Sequence, residues 1–186
     1  MESRGVLSKR VISGFKKKMK QEQPHDSIRG YFAYYLYKKM EENEDIVVIT
    51  GDLGYKMFDD IKEDFPDRFV NAGASEQAMM GLAVGLALEG KIPFVYSITT
   101  FLLYRPFETI RLYIEGEQLP VKLIGSGRDK DYAHDGPSHH SEDAEKILAT
   151  AFPSIVALWP DSKEQIESLV EFMVENKKPT FISLRR

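Results

Sequence analysis

From residue 26 onward this chain alternates short apolar runs, rich in β-branched residues, with segments of helical length. Strand, helix and strand in succession is the repeating unit of a parallel sheet, so this alternation constrains the fold more than any other feature. The run Asp45-Ile46-Val47-Val48-Ile49-Thr50 is continuously β-branched after its aspartate, the pattern of a strand covered on both faces. Further strands are predicted over 68–70, 92–97, 121–125, 154–158 and 180–184. Helices are predicted over 26–42, 75–89, 100–115, 142–150 and 162–176, with Ser27 as N-cap of the first and Pro106 limiting the early part of the third. The expectation is an α/β domain over 26–186, a doubly wound, mostly parallel sheet with helices on both faces, preceded by a basic leader over 1–25. Ligands of such sheets bind at the carboxyl ends of the strands. The loops to read are those after Thr50, Val70, Ser97 and Gly125.

Composition narrows the function classes. With 186 residues, 42% of them hydrophobic, the chain can bury one core. Its longest nearly apolar run, Ala78 to Leu88, has 11 residues, against the roughly 20 of a spanning helix. The N-terminus has no apolar secretory core, so membrane and secreted placements are set aside. The absence of cysteine excludes disulfides and cysteine-based zinc sites and fits the cytoplasm. A net charge of −4 argues against a general nucleic-acid binder. The leader still gathers Arg4, Lys9, Arg10, Lys16, Lys17, Lys18 and Lys20, either as a solvated face or as a contact for an acidic partner subunit.

Three segments at strand ends carry unusual residues. Asn71-Ala72-Gly73-Ala74-Ser75-Glu76-Gln77 runs from a strand into a helix. Its plain account is Ser75 as cap and Glu76 against the helix dipole. The following helix, rich in glycine and alanine, is apolar all round and is expected to be buried against another helix, which makes Glu76 at its mouth less ordinary than a surface cap. The second segment places Phe101, Tyr104 and Phe107 at intervals of three, on one side of a helical start. Such a stripe serves a core as readily as a cofactor site. The third, from Gly125 to Asp143, holds three of the four histidines. His134, Asp135, His139 and His140 are metal-ligand types, but nothing dictates their convergence, and a polar active-site loop is the reading adopted, with no metal assigned to this chain.

Together these segments resemble the pyrimidine-binding domain of the transketolase family of thiamine diphosphate enzymes. Gly73-Ala74-Ser75-Glu76-Gln77, Thr100-Phe101-Leu102 and Asp135-Gly136-Pro137-Ser138-His139 carry the resemblance, which covers nearly all of the chain after the leader. It implies that Glu76 hydrogen-bonds N1′ of the aminopyrimidine, that Phe101 stacks on that ring, and that Tyr104 and Phe107 extend the pocket. Asp52 falls where transketolases place an aspartate near the cofactor. Asp135 and His139 match residues that contact the sugar's hydroxyls and oxygen, so Glu76, His139 and Asp135 form the implied catalytic set. Arg29 and Arg186 fall where arginines hold the substrate phosphate.

Two departures stand out. Where transketolases carry a histidine about eight residues before Asp-Gly-Pro, this chain reads Gly127-Arg128-Asp129, and the place of a phosphate-contacting serine after Asp52 is near Tyr55-Lys56. The diphosphate-binding domain, with its Gly-Asp-Gly and magnesium-ligating asparagine, is missing. The resemblance therefore implies half an active site, completed by a diphosphate-binding partner subunit that holds Mg²⁺, in a heterotetramer acting on a sugar or sugar phosphate. The expected reaction is transfer of a two-carbon ketol unit from a ketose to an aldehyde. The alternatives are a beta-type subunit of a 2-oxo acid dehydrogenase, a deoxyxylulose-phosphate synthase-like enzyme, and a non-catalytic scaffold subunit.

Overall fold

Strand β1 (Ile46–Thr50) is buried along its whole length because both of its faces are covered by helices. Its side chains alternate between two cores: Val47 and Ile49 face one, Ile46 and Val48 the other. A computed structural model describes residues 23–186, so all but the last residues of the basic leader lie outside the described residues. Five further strands complete the sheet: β2 (Phe69–Asn71), β3 (Ile92–Ile98), β4 (Lys122–Ser126), β5 (Val156–Leu158) and β6 (Thr180–Leu184). They lie in the order β2-β1-β3-β4-β6-β5, and every pairing is parallel.

The helices divide between the faces. Helices α1 (Ile28–Glu42), α2 (Asp59–Asp64) and α7 (Ile166–Glu175) pack on Ile46, Val48, Phe94 and Ile182. Helices α3 (Glu76–Leu88), α4 (Thr99–Tyr104) and α6 (Ala144–Ala151) pack on Val47, Ile49, Val95 and Leu123. Among the described residues no helix is long and apolar enough to cross a membrane.

The predicted strands and helices recur with most ends moved by one or two residues; the helix predicted from 162 opens with a 3-10 turn, Lys163–Gln165, so α7 itself starts four residues later. Three further differences have physical causes. The segment over 100–115 is not one helix. Pro106 lacks the N–H that would continue α4, so a short helix α5 (Phe107–Thr109) restarts and passes into a π-helical stretch, Ile110–Glu115. Helix α2 is an addition, short and acidic with only Ile61 buried. Helix α3 is not buried all round. Met79, Met80, Ala83 and Val84 face the core, whereas Ala78, Gly81, Leu82, Gly85 and Leu88 are exposed.

Register sets the site. Thr50 pairs with Asn71 and with Tyr96, and Ser126 pairs with Ile98 and with Leu184. The carboxyl ends of these strands therefore lie side by side, and the loops after them emerge together. Gly125 lets α4 come close: a Cβ there would stand 2.6 Å from Thr99 Oγ1 and 2.9 Å from the Phe181 ring.

Candidate functional site

Asn71, the last residue of β2, organises the first part of the site. Its Oδ1 accepts from the N–H of Asp52 at 2.9 Å and from that of Gly73 at 3.0 Å, which ties the loop after β1 to the loop that leads into α3. Gly73 turns the chain with φ +70°, a conformation that glycine adopts without strain. Ser75 supplies its carbonyl to Met79 N–H, but its hydroxyl makes no capping bond, so the expected side-chain cap is absent. Glu76 follows as the first residue of α3, only 5% exposed. A buried carboxylate needs a partner, since desolvation penalises the charge. Arg105 provides it, Nη1 lying 2.8 Å from Glu76 Oε1.

Helix α4 carries the second part. Its two threonines act as tethers: Thr99 Oγ1 donates to the Gly127 carbonyl at 2.6 Å, and Thr100 Oγ1 to that of Ser138 at 2.7 Å. Phe101, between these tethered residues and the helix end, is contacted by two side chains. The Arg105 guanidinium lies 3.6 Å from the centroid of its ring, and His139 meets it edge-on with centroids 4.8 Å apart. Glu76, Arg105, Phe101 and His139 are thus one continuous group.

The third part is the loop that follows β4. Tyr132 is its hub. Its hydroxyl lies 2.8 Å from Ser126 Oγ and accepts from Arg29 Nη1 at 3.2 Å, while the Arg186 guanidinium stands 5.1 Å from its ring centroid. Tyr132 also approaches His139, with centroids 6.2 Å apart. Gly127 makes room for that ring, since a Cβ at this residue, φ +82°, would stand 2.3 Å from it. A cavity of about 560 Å³ opens beside the hub, lined by Arg29, Lys56, Tyr34, Tyr96, Ser126 and Tyr132. Burial pushes the Tyr96 phenol up, against the opposing pull of its hydrogen bond with Ser126 and the Arg29 charge. Asp135 is exposed, with Oδ2 3.2 Å from His134 Nε2, which in turn lies 3.1 Å from Arg186 Nη1.

The structure brings Glu76, Phe101, His139, Arg29 and Arg186 into one connected set, with Asp135 at its rim. Asp52 lies on an exposed turn, φ 58°, held to Asn71 through its N–H, its carboxylate accepting from Tyr55 at 2.6 Å. Tyr104 and Phe107 each make a contact outside the Phe101 group. The Tyr104 hydroxyl donates to Asp143, and burial followed by that bond holds the phenol well above its ordinary range. The Phe107 ring packs on Phe152, centroids 4.9 Å apart, because the break at Pro106 turns it into the core. Among the described residues no three His, Cys, Asp or Glu side chains gather around a common point.

Sequence reasoning missed the roles of Arg105, Tyr132, Ser126 and Asn71, although all four stand inside segments that it singled out. Arg128, at the position expected to differ from transketolases, turns into the domain instead of the site. Its guanidinium bonds to Asp161, the Pro160 carbonyl and the Ser183 carbonyl, at 2.8, 2.8 and 3.0 Å.

Comparison with known proteins agrees with this geometry. Residues 27–186 match the transketolase pyrimidine-binding domain model. A protein of Methanocaldococcus jannaschii described as a transketolase C-terminal section is 33% identical over 87% of this chain and 51% of its own length. One of the subunits of an apulose-4-phosphate transketolase, from Phocaeicola vulgatus, is 30% identical over 85% of this chain and 51% of its own length. Among solved structures, a split-gene transketolase described as an inactive β4 tetramer superposes with a TM-score of 0.76 at 30% identity, covering 87% of this chain and 52% of the other. The chain spans about half the length of these relatives. It belongs to the transketolase pyrimidine-binding domain family.

Proposed function

We propose that this member of the transketolase family supplies the pyrimidine side of a thiamine diphosphate site and works with a diphosphate-binding partner chain, two copies of each forming a heterotetramer. The complex transfers a two-carbon ketol unit from a ketose or ketose phosphate to an aldehyde. The observation that carries this reading is the buried Glu76 carboxylate beside the Phe101 ring, with one flat cation, the Arg105 guanidinium, seated on both. The place beside these two residues fits a planar group that bears a hydrogen-bonding nitrogen, as an aminopyrimidine does.

Thiamine diphosphate, when bound, supplies the carbanion chemistry that cleaving a carbon–carbon bond next to a carbonyl requires. Glu76 holds a proton against N1′ of the pyrimidine, sheltered from water by its burial. Phe101 fixes the plane of that ring, with His139 bracing its edge and, with Asp135, facing the sugar's hydroxyls and oxygen. Arg29 and Arg186, gathered around Tyr132, meet the substrate phosphate. Both Arg29 hydrogen bonds go to hydroxyls, Ser126 and Tyr132, so its charge is available to an anion. Asp52, Tyr104 and Phe107 extend the cofactor's surroundings, Tyr104 steadied by its bond to Asp143 and Phe107 by its packing on Phe152. The partner holds Mg²⁺ with the diphosphate. A cysteine-free chain suits the reducing cytoplasm as the place of this enzyme.

Calorimetric titration of thiamine diphosphate with Mg²⁺, into the chain alone and into its complex with the diphosphate-binding chain, tests the proposal. Binding in the complex is expected. A complex that binds no cofactor contradicts it.

A further inference from the structure

We infer that Arg105 keeps the pyrimidine seat closed in the free chain and that cofactor binding displaces it. The inference rests on the reading that Glu76 and Phe101 receive the aminopyrimidine. Its evidence is a coincidence of contacts. The guanidinium carbon of Arg105 stands 3.6 Å from the Phe101 centroid, a stacking distance that leaves no space for another ring between them. The same guanidinium places Nη1 2.8 Å from Glu76 Oε1. Arg105 therefore uses both groups that a stacked, hydrogen-bonded pyrimidine needs, and it uses them in the same way, by a flat delocalised face and an in-plane nitrogen.

The arrangement has a physical reason. With the seat empty, Glu76 would be an unpaired carboxylate, 5% exposed, and one face of Phe101 would be open to water. Arg105 answers both needs. Its backbone is fixed at the end of α4, before Pro106, but its side chain is 47% exposed and can swing out without disturbing the core. The exchange is nearly matched in bonds: the cofactor's ring takes over the stack and the hydrogen bond, and the guanidinium regains water. Closure thus costs the cofactor the worth of one half-exposed ion pair and one cation–π contact. Loading waits on a binding partner that supplies the remaining affinity.

The test is calorimetric titration of thiamine diphosphate with Mg²⁺ into the complex of this chain and its diphosphate-binding partner, with the chain as wild type, Arg105→Ala or Arg105→Lys. Arg105→Ala is expected to bind about three- to thirtyfold more tightly than wild type, and the gap is expected to narrow in high salt, which screens the ion pair. Arg105→Lys, which keeps the charge without the flat face, should fall between them. The unliganded Arg105→Ala chain should melt at a lower temperature and recover more on adding cofactor. Equal or weaker binding by Arg105→Ala overturns the gate, and weaker binding would make Arg105 a clamp on the cofactor. If wild type and variants alike bind no cofactor, the cofactor-seat reading itself fails and the gate fails with it.

Discussion

The hydroxyl of Thr100 donates to the carbonyl of Ser138 at 2.7 Å, and this bond fastens the helix that carries Phe101 to the loop that carries His139. The Phe101–His139 edge contact depends on that fastening, since nothing in the sequence holds residues this far apart at 4.8 Å. Thr100→Val keeps the shape of the side chain and removes the donor. It should cost about 1 kcal/mol of stability in denaturant unfolding. Turnover of the assembled enzyme should fall by more than that loss of stability explains, because the loop is released from α4. Unaltered turnover would mean that the loop is held by other contacts.

Lys122 gives a prediction in pH. Its ammonium is wholly buried at the start of β4, donating to the carbonyls of Asn176 and Lys178 at 2.8 and 2.7 Å. Burial pushes its pKa down to about 8 from the ordinary 10.5. Between those values the unfolded chain binds more protons than the folded one, so this group's contribution to stability rises with pH. Relative to Lys122→Met, the wild type should gain stability as pH is raised from about 8 to 10.5, by at most about 3 kcal/mol. Thermal melts of both chains across that range measure the difference. Parallel curves would show that Lys122 keeps an ordinary pKa.

The exposed face of α3 predicts association. Ala78, Gly81 and Gly85 allow a second helix to approach closely, and a Cβ added at either glycine would meet nothing within 4 Å. Leu82, Leu88 and Leu112 are 39%, 66% and 51% exposed, an apolar surface that a monomer would leave wet. Light scattering should find an oligomer, and Leu82→Glu with Leu88→Glu should reduce its mass while leaving the circular dichroism unchanged. A wild-type monomer, in the presence of its partner chain, would contradict this.

The strands were legible because β-branched runs such as Ile46-Val47-Val48-Ile49 have no comfortable place except a doubly covered sheet. Ser27 was legible as a cap, and its Oγ does accept from Gly30 N–H at 3.0 Å. Tertiary pairings were not. Arg29 and Tyr132 are separated by 103 positions, and no local pattern announces their bond. Arg105 escaped notice because a charged residue after a helix ordinarily faces water. The spacing of Phe101, Tyr104 and Phe107 suggested one helix through all three, but α4 ends at Tyr104 and Pro106 separates it from the helix that starts at Phe107. The composition of α3 suggested burial without saying by what. In this chain the domain covers one face of that helix and leaves the other exposed.

The central claim, that Glu76 handles the proton at the cofactor's pyrimidine, is tested most directly by Glu76→Gln in the complete enzyme, assayed for ketol transfer between a ketose phosphate and an aldehyde. Glutamine keeps the size of the side chain and a hydrogen bond but cannot exchange the proton. The account predicts a folded, cofactor-binding complex whose turnover is lower by about two to four orders of magnitude. Turnover within a few-fold of wild type would contradict it.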